Sequence, residues 1–492
     1  MQRIPRSQSI LQGAAFTVAS RWADRLIGVV STLVLARLLA PDDFGIIAIA
    51  SLVIGLADVM LDLGVNVALI QRRNAQQAHF NTAWTLRLIQ TTLATVIVII
   101  AAPFASEYFH DERIQPVLQV LSLSLLLSGF ENIGIVTFQK EMQFGAEFRF
   151  LFLRRIGGAL TTIAAALILQ SYWALVIGAL TGRVIGVGLS YAMHPMRPAL
   201  SAEKFKDIFS VSQWMLARSV GGYLHNNFHR ALVGNQTTVA TMGAYTLANE
   251  ISGMPSAELL SPLNRVLFPA FVAAKDNLIE LKRLFLRAQG LQTLIAVPAA
   301  IGLALVSDEA VRLFLGEKWL PAVPLLQILA LVNIGQALTT SSSYVLIALG
   351  HVRNSVISTW LLILLFGILA LTVFADAGAV TIAWLRLAVG AFAGIWISLW
   401  LLFRAMPSLH YRDVVGAVVR PIVGAAGMAG TVIFASQHIQ LSLPLMLSFK
   451  ILLGTITYVG LVMAMWQLAN RPVGAESYLL NNTHALLRRL KL

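Results

Sequence analysis

Arg21, Asp24 and Arg25 fall near the middle of an apolar stretch covering 10–36. A helix of that length crosses a bilayer core of about 30 Å. Each charge at the bilayer centre costs roughly 2.5–3.5 kcal/mol on insertion scales, so three on one helix must face a bundle interior or a water-filled cavity. Two guanidiniums and one carboxylate leave net positive charge, and guanidinium is the side chain best matched to phosphate oxygens. The chemistry on offer is anion binding inside a membrane. Asp24 follows Arg21 by three residues, a spacing that allows an intrahelical pair and a local counter-ion.

More polar residues recur at helical spacing. Thr17, Ser20, Arg21, Asp24, Arg25, Gly28 and Thr32 line one face of the first predicted helix, and Ser51, Gly55, Asp58, Asp62 and Asn66 one face of the second. The seventh carries Arg218, Gly222, His225 and His229, and the eighth Tyr245, Asn249, Ser252 and Ser256. Arg87, Glu131 and Arg183 are further buried charges. Glu131, Arg183 and Arg386 read equally well as ion pairs that fix helix packing, and Asp62 as a partner of Arg72 or Arg73. His225 and His229 lack the company of other metal ligands, so hydrogen-bonded packing is the better reading for them and no metal is expected. Pro255, Pro262 and Pro269, spaced by seven, predict a bent eighth helix.

The elements that must position these groups follow from composition. Of 492 residues, 57% are hydrophobic and 12% charged, against about 25% charged in soluble domains. Mean hydropathy is +0.76. The chain therefore reads as an all-α polytopic membrane protein. The net charge of +13 lies in short connections and not in a soluble basic domain, which argues against nucleic acid as a partner and for anionic membrane lipid. The absence of cysteine excludes disulfides and thiolate catalysis. Residues 1–9 are short and polar, and the stretch behind them reads as a retained first helix, not a cleaved signal.

Apolar segments fall near 10–36, 44–70, 80–104, 114–138, 148–169 and 172–193, then near 208–233, 239–271, 284–306, 322–349, 354–375 and 379–403, with a further pair near 414–436 and 443–468. That predicts about fourteen transmembrane helices: a first lobe over 10–193, a linker over 194–207, a second lobe over 208–403, an extra pair over 404–468 and a tail over 469–492. Alternate connections carry Arg and Lys (Arg72 and Arg73; Arg149, Arg154 and Arg155; Lys204 and Lys206; Lys282, Arg283 and Arg287), and the intervening ones are neutral or acidic. The positive-inside rule then places both termini in the cytoplasm. No connection is long enough to build a catalytic domain, so an enzyme is not expected.

The two lobes resemble one another. Ser20-Arg21-Trp22 matches Ser212-Gln213-Trp214, and Phe44-Gly45-Ile46 parallels Met242-Gly243-Ala244. Six helices per repeat means a parallel duplication, with a substrate site expected between the lobes.

Leu35-Ala36-Arg37-Leu38-Leu39-Ala40-Pro41-Asp42-Asp43-Phe44-Gly45, Asp62-Leu63-Gly64 with Ala68-Leu69-Ile70-Gln71, and Gly243-Ala244-Tyr245-Thr246-Leu247-Ala248 followed by Leu267-Phe268-Pro269-Ala270 resemble the bacterial polysaccharide transporters. These are the Wzx-type flippases of the multidrug/oligosaccharidyl-lipid/polysaccharide exporter superfamily. The resemblance implies two six-helix bundles in a V around a central cavity. It implies movement of an undecaprenyl-diphosphate-linked repeat unit across the bacterial inner membrane, for exopolysaccharide or lipopolysaccharide biosynthesis. It also implies cavity cations on the first, second, seventh and eighth helices: Arg21, Arg25 and Arg218 for the diphosphate, where the second helix offers Asp58 and Asp62 instead. Fourteen spans fit the exopolysaccharide or colanic-acid-type branch. Asp24, Asp58, Asp62, Glu131, His225 and Asn249 are the cavity-lining or ion-coupling candidates. A proton or sodium ion is the expected coupling species, and no cofactor is expected. Partners are the lipid-linked oligosaccharide and membrane lipids, with a polymerase and a chain-length regulator beyond them. A cation-coupled drug or metabolite exporter of the same superfamily is the alternative.

Overall fold

The computed structural model describes residues 7–61, 65, 69–70, 72, 75–205, 212–375, 377–472 and 474–478, with side-chain detail excluding 7–21, 212–218, 257 and 262. The described chain is helical, with no strand among the described residues. Hydrocarbon offers the backbone no hydrogen-bond partner, so a sequence this apolar satisfies its own N–H and C=O groups within helices.

The elements are α1 (Ser7–Leu38), α2 (Pro41–Leu61), α3 (Gln77–Tyr108), α4 (Ile114–Gly129, continued after a break by Ile133–Lys140), α5 (Phe144–Leu169), α6 (Trp173–Met193) and α7 (Ser212–Gln236). Then come α8 (Val239–Ala274), α9 (Leu278–Leu305), α10 (Ala322–Ala348), α11 (Val352–Val373), α12 (Ala379–Ala405), α13 (Tyr411–His438) and α14 (Leu443–Leu468). Among the described residues ten helices are long and apolar enough to cross a bilayer, eleven if the bent pair in α4 counts as one span. The chain is a multi-pass membrane protein. The sequence reading also counts α1, α7 and α8 as spans; they are 32, 25 and 36 residues long.

Helix ends follow local chemistry. Pro41 opens α2, and Asp42 and Asp43 occupy its first turn, where a fixed φ and negative charge suit the exposed N–H groups. Asp43 accepts hydrogen bonds from the backbone N–H of Ala40 and of Tyr172, each at 2.8 Å, which ties the start of α2 to the start of α6. The Asn277 side chain caps α9 by accepting from the N–H groups of Ile279 and Glu280. Gln170 closes α5 in the left-handed conformation at φ 44°.

Packing divides the chain after Gly243. In the first unit α5 packs along α6, α3 along α4, α1 along α5, and α7 along α2. Small residues let these backbones approach: a Cβ on Gly158 would lie 3.3 Å from the Cα of Gly182. The starts of α2 and α8 come closer still. A Cβ on Gly45 would stand 1.9 Å from the carbonyl oxygen of Val239, and one on Gly243 1.9 Å from that of Pro41. The Tyr223 hydroxyl donates to the Leu52 carbonyl at 2.6 Å, fixing α7 to α2.

In the second unit α9 is central, packed on α10 and α13, with α14 against α13 and α12 against α10. Phe271, Phe285, Val345, Leu402 and Met406 are fully buried in its main apolar core. Near its centre polar groups meet as neutral pairs, while Arg420–Glu476 and Lys450–Glu309 form ion pairs elsewhere in the unit. Ser341 donates to Gln292 at 2.6 Å, and Gln292 to Asn264 at 2.8 Å.

The predicted span over 114–138 is not one straight helix. It breaks between Gly129 and Ile133 with a 66° bend, because Asn132 leaves helical geometry and accepts the N–H of Gly134 at 2.9 Å, starting a new turn.

Candidate functional site: a buried ionic cluster and its cavity

The break in α4 positions Glu131. Asn132 anchors the turn on α6, receiving the Ser190 hydroxyl oxygen on its backbone N–H at 2.9 Å and giving its amide to the Met196 carbonyl at 2.7 Å. Gly134 is needed here, since a Cβ would lie 2.3 Å from Nδ1 of His194. Held this way, Glu131 is 3% exposed. Its carboxylate accepts from Arg87 of α3 at 3.1 Å and from Arg154 of α5 at 3.1 Å, one guanidinium on each oxygen. Gly186 of α6 makes room for the second contact: a Cβ there would lie 2.8 Å from the Cδ of Arg154 and 3.0 Å from the Glu131 carboxylate.

Beside this cluster opens a cavity of about 210 Å³, whose polar lining is Asp58, Arg87, Gln90, Thr91, Ser128 and Arg183. Thr91 and Ser128 donate their hydroxyls to the carbonyls of Arg87 and Leu125, which leaves their oxygens as acceptors. Gln90 gives its amide to the Leu61 carbonyl. Arg183 makes no hydrogen bond or ion pair among the described residues and feels Arg87, Arg154, Glu131 and Asp58 only through space. The arrangement can bind a polar, negatively charged group in a low-dielectric setting, where each interaction is stronger than in water.

The other predicted residues are placed as follows. Arg25 lies half-buried on α1, and Asp24 is exposed. Asp24 meets Arg155 of α5 at 3.4 Å; its counter-ion includes a residue of another helix. Arg21 and Arg218 lie on α1 and α7, with side chains outside the described residues, and Asp62 falls outside them altogether. His225 is exposed on α7 and His229 buried. Asn249, in the second unit, accepts from Arg386 at 2.7 Å. The structure thus brings Asp58 and Glu131 into one constellation with Arg87 and Arg183, and Asn249 makes its polar contact within the second unit.

Sequence reasoning missed Arg154 and Gly186. It counted Arg154 among the loop cations, whereas α5 begins at Phe144 and carries Arg154 well inside the helix. The signal was present, because the predicted 148–169 segment already contained it.

Known proteins align with this picture. TuaB of Bacillus subtilis (strain 168), named a teichuronic acid biosynthesis protein, is 24% identical over 463 residues, covering 93% of this chain and 95% of its own. WzxC of Escherichia coli (strain K12), named a lipopolysaccharide biosynthesis protein, is 25% identical over 316 residues, 63% of each chain. Among solved structures, the lipid II flippase MurJ in an inward closed conformation matches with a TM-score of 0.76 at 11% identity, covering 93% of this chain and 100% of that one. An inward-facing MATE family transporter of the MOP superfamily matches at 0.59 with 15% identity, covering 79% and 96%. These two likenesses concern the fold. The family model described as polysaccharide biosynthesis protein matches residues 34–324, more than half of the sequence, and the chain belongs to that family.

Proposed function

We propose that this protein is a flippase that carries an undecaprenyl-diphosphate-linked oligosaccharide repeat unit across the bacterial inner membrane by alternating access, in exopolysaccharide or lipopolysaccharide assembly. The observation that carries the reading is the convergence of Arg87, Arg154 and Arg183 with Glu131 and Asp58 beside a polar cavity in a multi-pass membrane protein of this family. Ionisable groups kept in a membrane mark pathways for polar cargo, and arginine fits oxyanions. The names of WzxC and of the flippase MurJ fit the same reading.

In this reading the chain has fourteen spans, two six-helix lobes and an extra C-terminal pair, with both termini cytoplasmic. Arg21, Arg25 and Arg218 hold the diphosphate, the sugars occupy an aqueous cavity, and the lipid tail trails in the bilayer. Asp24, Asp58 or Glu131 binds a coupling proton or sodium ion. The chain makes and breaks no covalent bond. Its product passes to a polymerase and a chain-length regulator.

Removal of the protein is expected to make lipid-linked repeat units accumulate on the cytoplasmic leaflet, measured by extraction and mass spectrometry. Complementation by Arg21→Ala with Arg25→Ala, present at normal levels, is expected to fail; full export by that variant would overturn the diphosphate assignment. Restored drug efflux without any change in lipid-linked sugar would favour the exporter alternative.

A further inference from the structure

We infer that the C-terminal helix pair, α13 and α14, is a brace on α9, and that Tyr458 of α14 sets the working shape of that helix at Pro298. Only the effect on transport rests on the flippase reading.

The sequence of α9 weakens the helix at a defined place. Proline lacks the backbone N–H that would bond to the carbonyl four residues earlier, so Pro298, inside α9, leaves the Leu294 carbonyl without its helical donor. Hydrocarbon offers no water to take that place, and a neighbouring helix must supply the proton. The Tyr458 hydroxyl does so, donating to the Leu294 carbonyl at 2.8 Å. Three turns along α9, Lys450 donates to the carbonyl of Leu305, the last residue of the helix, at 3.2 Å and pairs with Glu309 at 2.6 Å. The last carbonyls of a helix have no donor within it. Lys450, Gly454 and Tyr458 lie four apart, on one face of α14. One stripe of α14 therefore serves both weak points of α9.

α13 shows the converse. Pro421, inside that helix, withdraws the helical donor from the carbonyl of Ala417 in the same way. The α9 residue beside that carbonyl is Gly290: a Cβ there would lie 3.5 Å from the Ala417 oxygen, and 3.1 Å from the Cβ of Ala475, just past α14. Both freed carbonyls thus lie at the seam between α9 and the pair. Around it Val297, Ala425, Met428, Tyr458 and Val462 share one apolar core. Apolar contact alone would hold such a seam. A tyrosine hydroxyl aimed at a proline-freed carbonyl makes it a joint, where one hydrogen bond decides whether α9 is held or free to bend.

Room to move lies alongside. A cavity of about 460 Å³ opens between α9 and α14, lined by Pro298, Gly302, Lys450 and Tyr458 with apolar residues of α8 and α13. α9 is the central helix of its unit, packed on α10 and α13, so a change of angle at Pro298 passes to both. Tyr458 is a positioning residue that acts through α9.

The test uses the purified full-length protein in lipid nanodiscs. The chain has no cysteine, and a Cβ at Gly302 would meet nothing within 4 Å, so a nitroxide on Gly302→Cys is a single label that reports the space between α9 and α14. Tyr458→Phe keeps the ring and removes the hydrogen bond; it is expected to lower the melting temperature by a few degrees and to raise nitroxide mobility. Pro298→Ala returns an N–H to the Leu294 carbonyl, so Tyr458→Phe should cost only a small fraction as much in that background. Lost packing at Tyr458 would not be rescued in this way. Export separates the brace from mere stability: Pro298→Ala is expected to melt no lower than the parent protein yet to export severalfold less, with lipid-linked repeat units accumulating. Equal effects of Tyr458→Phe with and without Pro298→Ala, or unchanged nitroxide mobility in Tyr458→Phe, would overturn the brace. Full export by Pro298→Ala would overturn its use in the transport cycle. If Tyr458→Phe does not fold, Pro298→Ala alone decides, and nitroxide mobility that fails to fall in it refutes the joint. A deletion strain that accumulates no lipid-linked units refutes the flippase reading, while melting and mobility still judge the brace.

Discussion

Two buried polar clusters differ in kind: the one around Glu131 in the first unit is ionic, and the one around Gln292 in the second is made of neutral amides and hydroxyls. Around Glu131, two guanidiniums share one carboxylate while a third cation, Arg183, lines an adjoining cavity. Around Gln292, which has 0% exposure, an asparagine, a glutamine and a serine meet at 2.6–2.8 Å. A neutral network of this kind fixes the register of three helices, α8, α9 and α10, with little penalty for burial. Buried ion pairs are poor stabilisers relative to apolar packing. Keeping one beside a cavity makes sense where the charge has a further use. The contrast separates a neutral contact that joins neighbouring helices from an ionic one that also borders a cavity.

The largest expected effect tests the ionic side. Glu131→Ala leaves two partly buried arginines, with side chains 19% and 31% exposed, without their shared carboxylate; breaking a fully buried pair this way costs roughly 3–5 kcal/mol, an upper bound for this cluster. A large drop in melting temperature in detergent is the expected outcome, and an unchanged melt would erase the contrast. On the neutral side, Gln292→Leu removes two hydrogen bonds, which inside membrane proteins average about 0.6 kcal/mol each. The expected loss is therefore near ~1 kcal/mol, and a loss comparable with that of Glu131→Ala would show that the second network is no mere packing device.

Smaller effects come from the connections. Burial pushes the His194 imidazole below the ordinary histidine range. Its Nδ1 accepts from the Met196 N–H at 3.2 Å and its Nε2 faces the Thr137 hydroxyl at 3.1 Å, so protonation sets two donors against each other. The contribution is complete above about pH 6.5 and is lost as pH falls below it toward the lowered native value. Thermal melts between neutral and mildly acidic pH should show that slope, and His194→Gln should flatten it. The smallest effect belongs to Asp111. The Arg113 guanidinium, hydrogen-bonded at 2.6 Å, holds its carboxyl below the usual carboxylate value. Half-exposed pairs contribute less than about 1 kcal/mol, present above the ordinary carboxylate range and lost as pH falls through the lowered value. Arg113→Ala should change the melt only slightly, and only above that range.

Much of the helical layout was legible, because hydrocarbon demands long apolar runs and their edges are marked by Pro41, Asp42, Asp43 and Asn277. Glu131 and Arg183 were legible as buried charges, since nothing else explains ions inside such segments. Their partners were not. Helical spacing sees only one helix at a time, so Asp24 suggested Arg21 and the structure adds Arg155 from α5. Arg154 was hidden by its neighbours Arg149 and Arg155, which made a basic loop the simpler reading. The break at Asn132 carries no proline; its marks are Gly129 and an asparagine that caps the next turn locally, while the hydroxyl that anchors its backbone N–H, Ser190, lies 58 positions away.

The close approach of α2 and α8 has one further consequence. Gly45 lies against Val239 and Gly243 against Pro41, and each member of one pair is offset from its counterpart by 198 positions (239 less 41, 243 less 45). A side chain introduced at either glycine would therefore meet backbone and not a yielding side chain: the carbonyl oxygen of Val239 for Gly45 and that of Pro41 for Gly243.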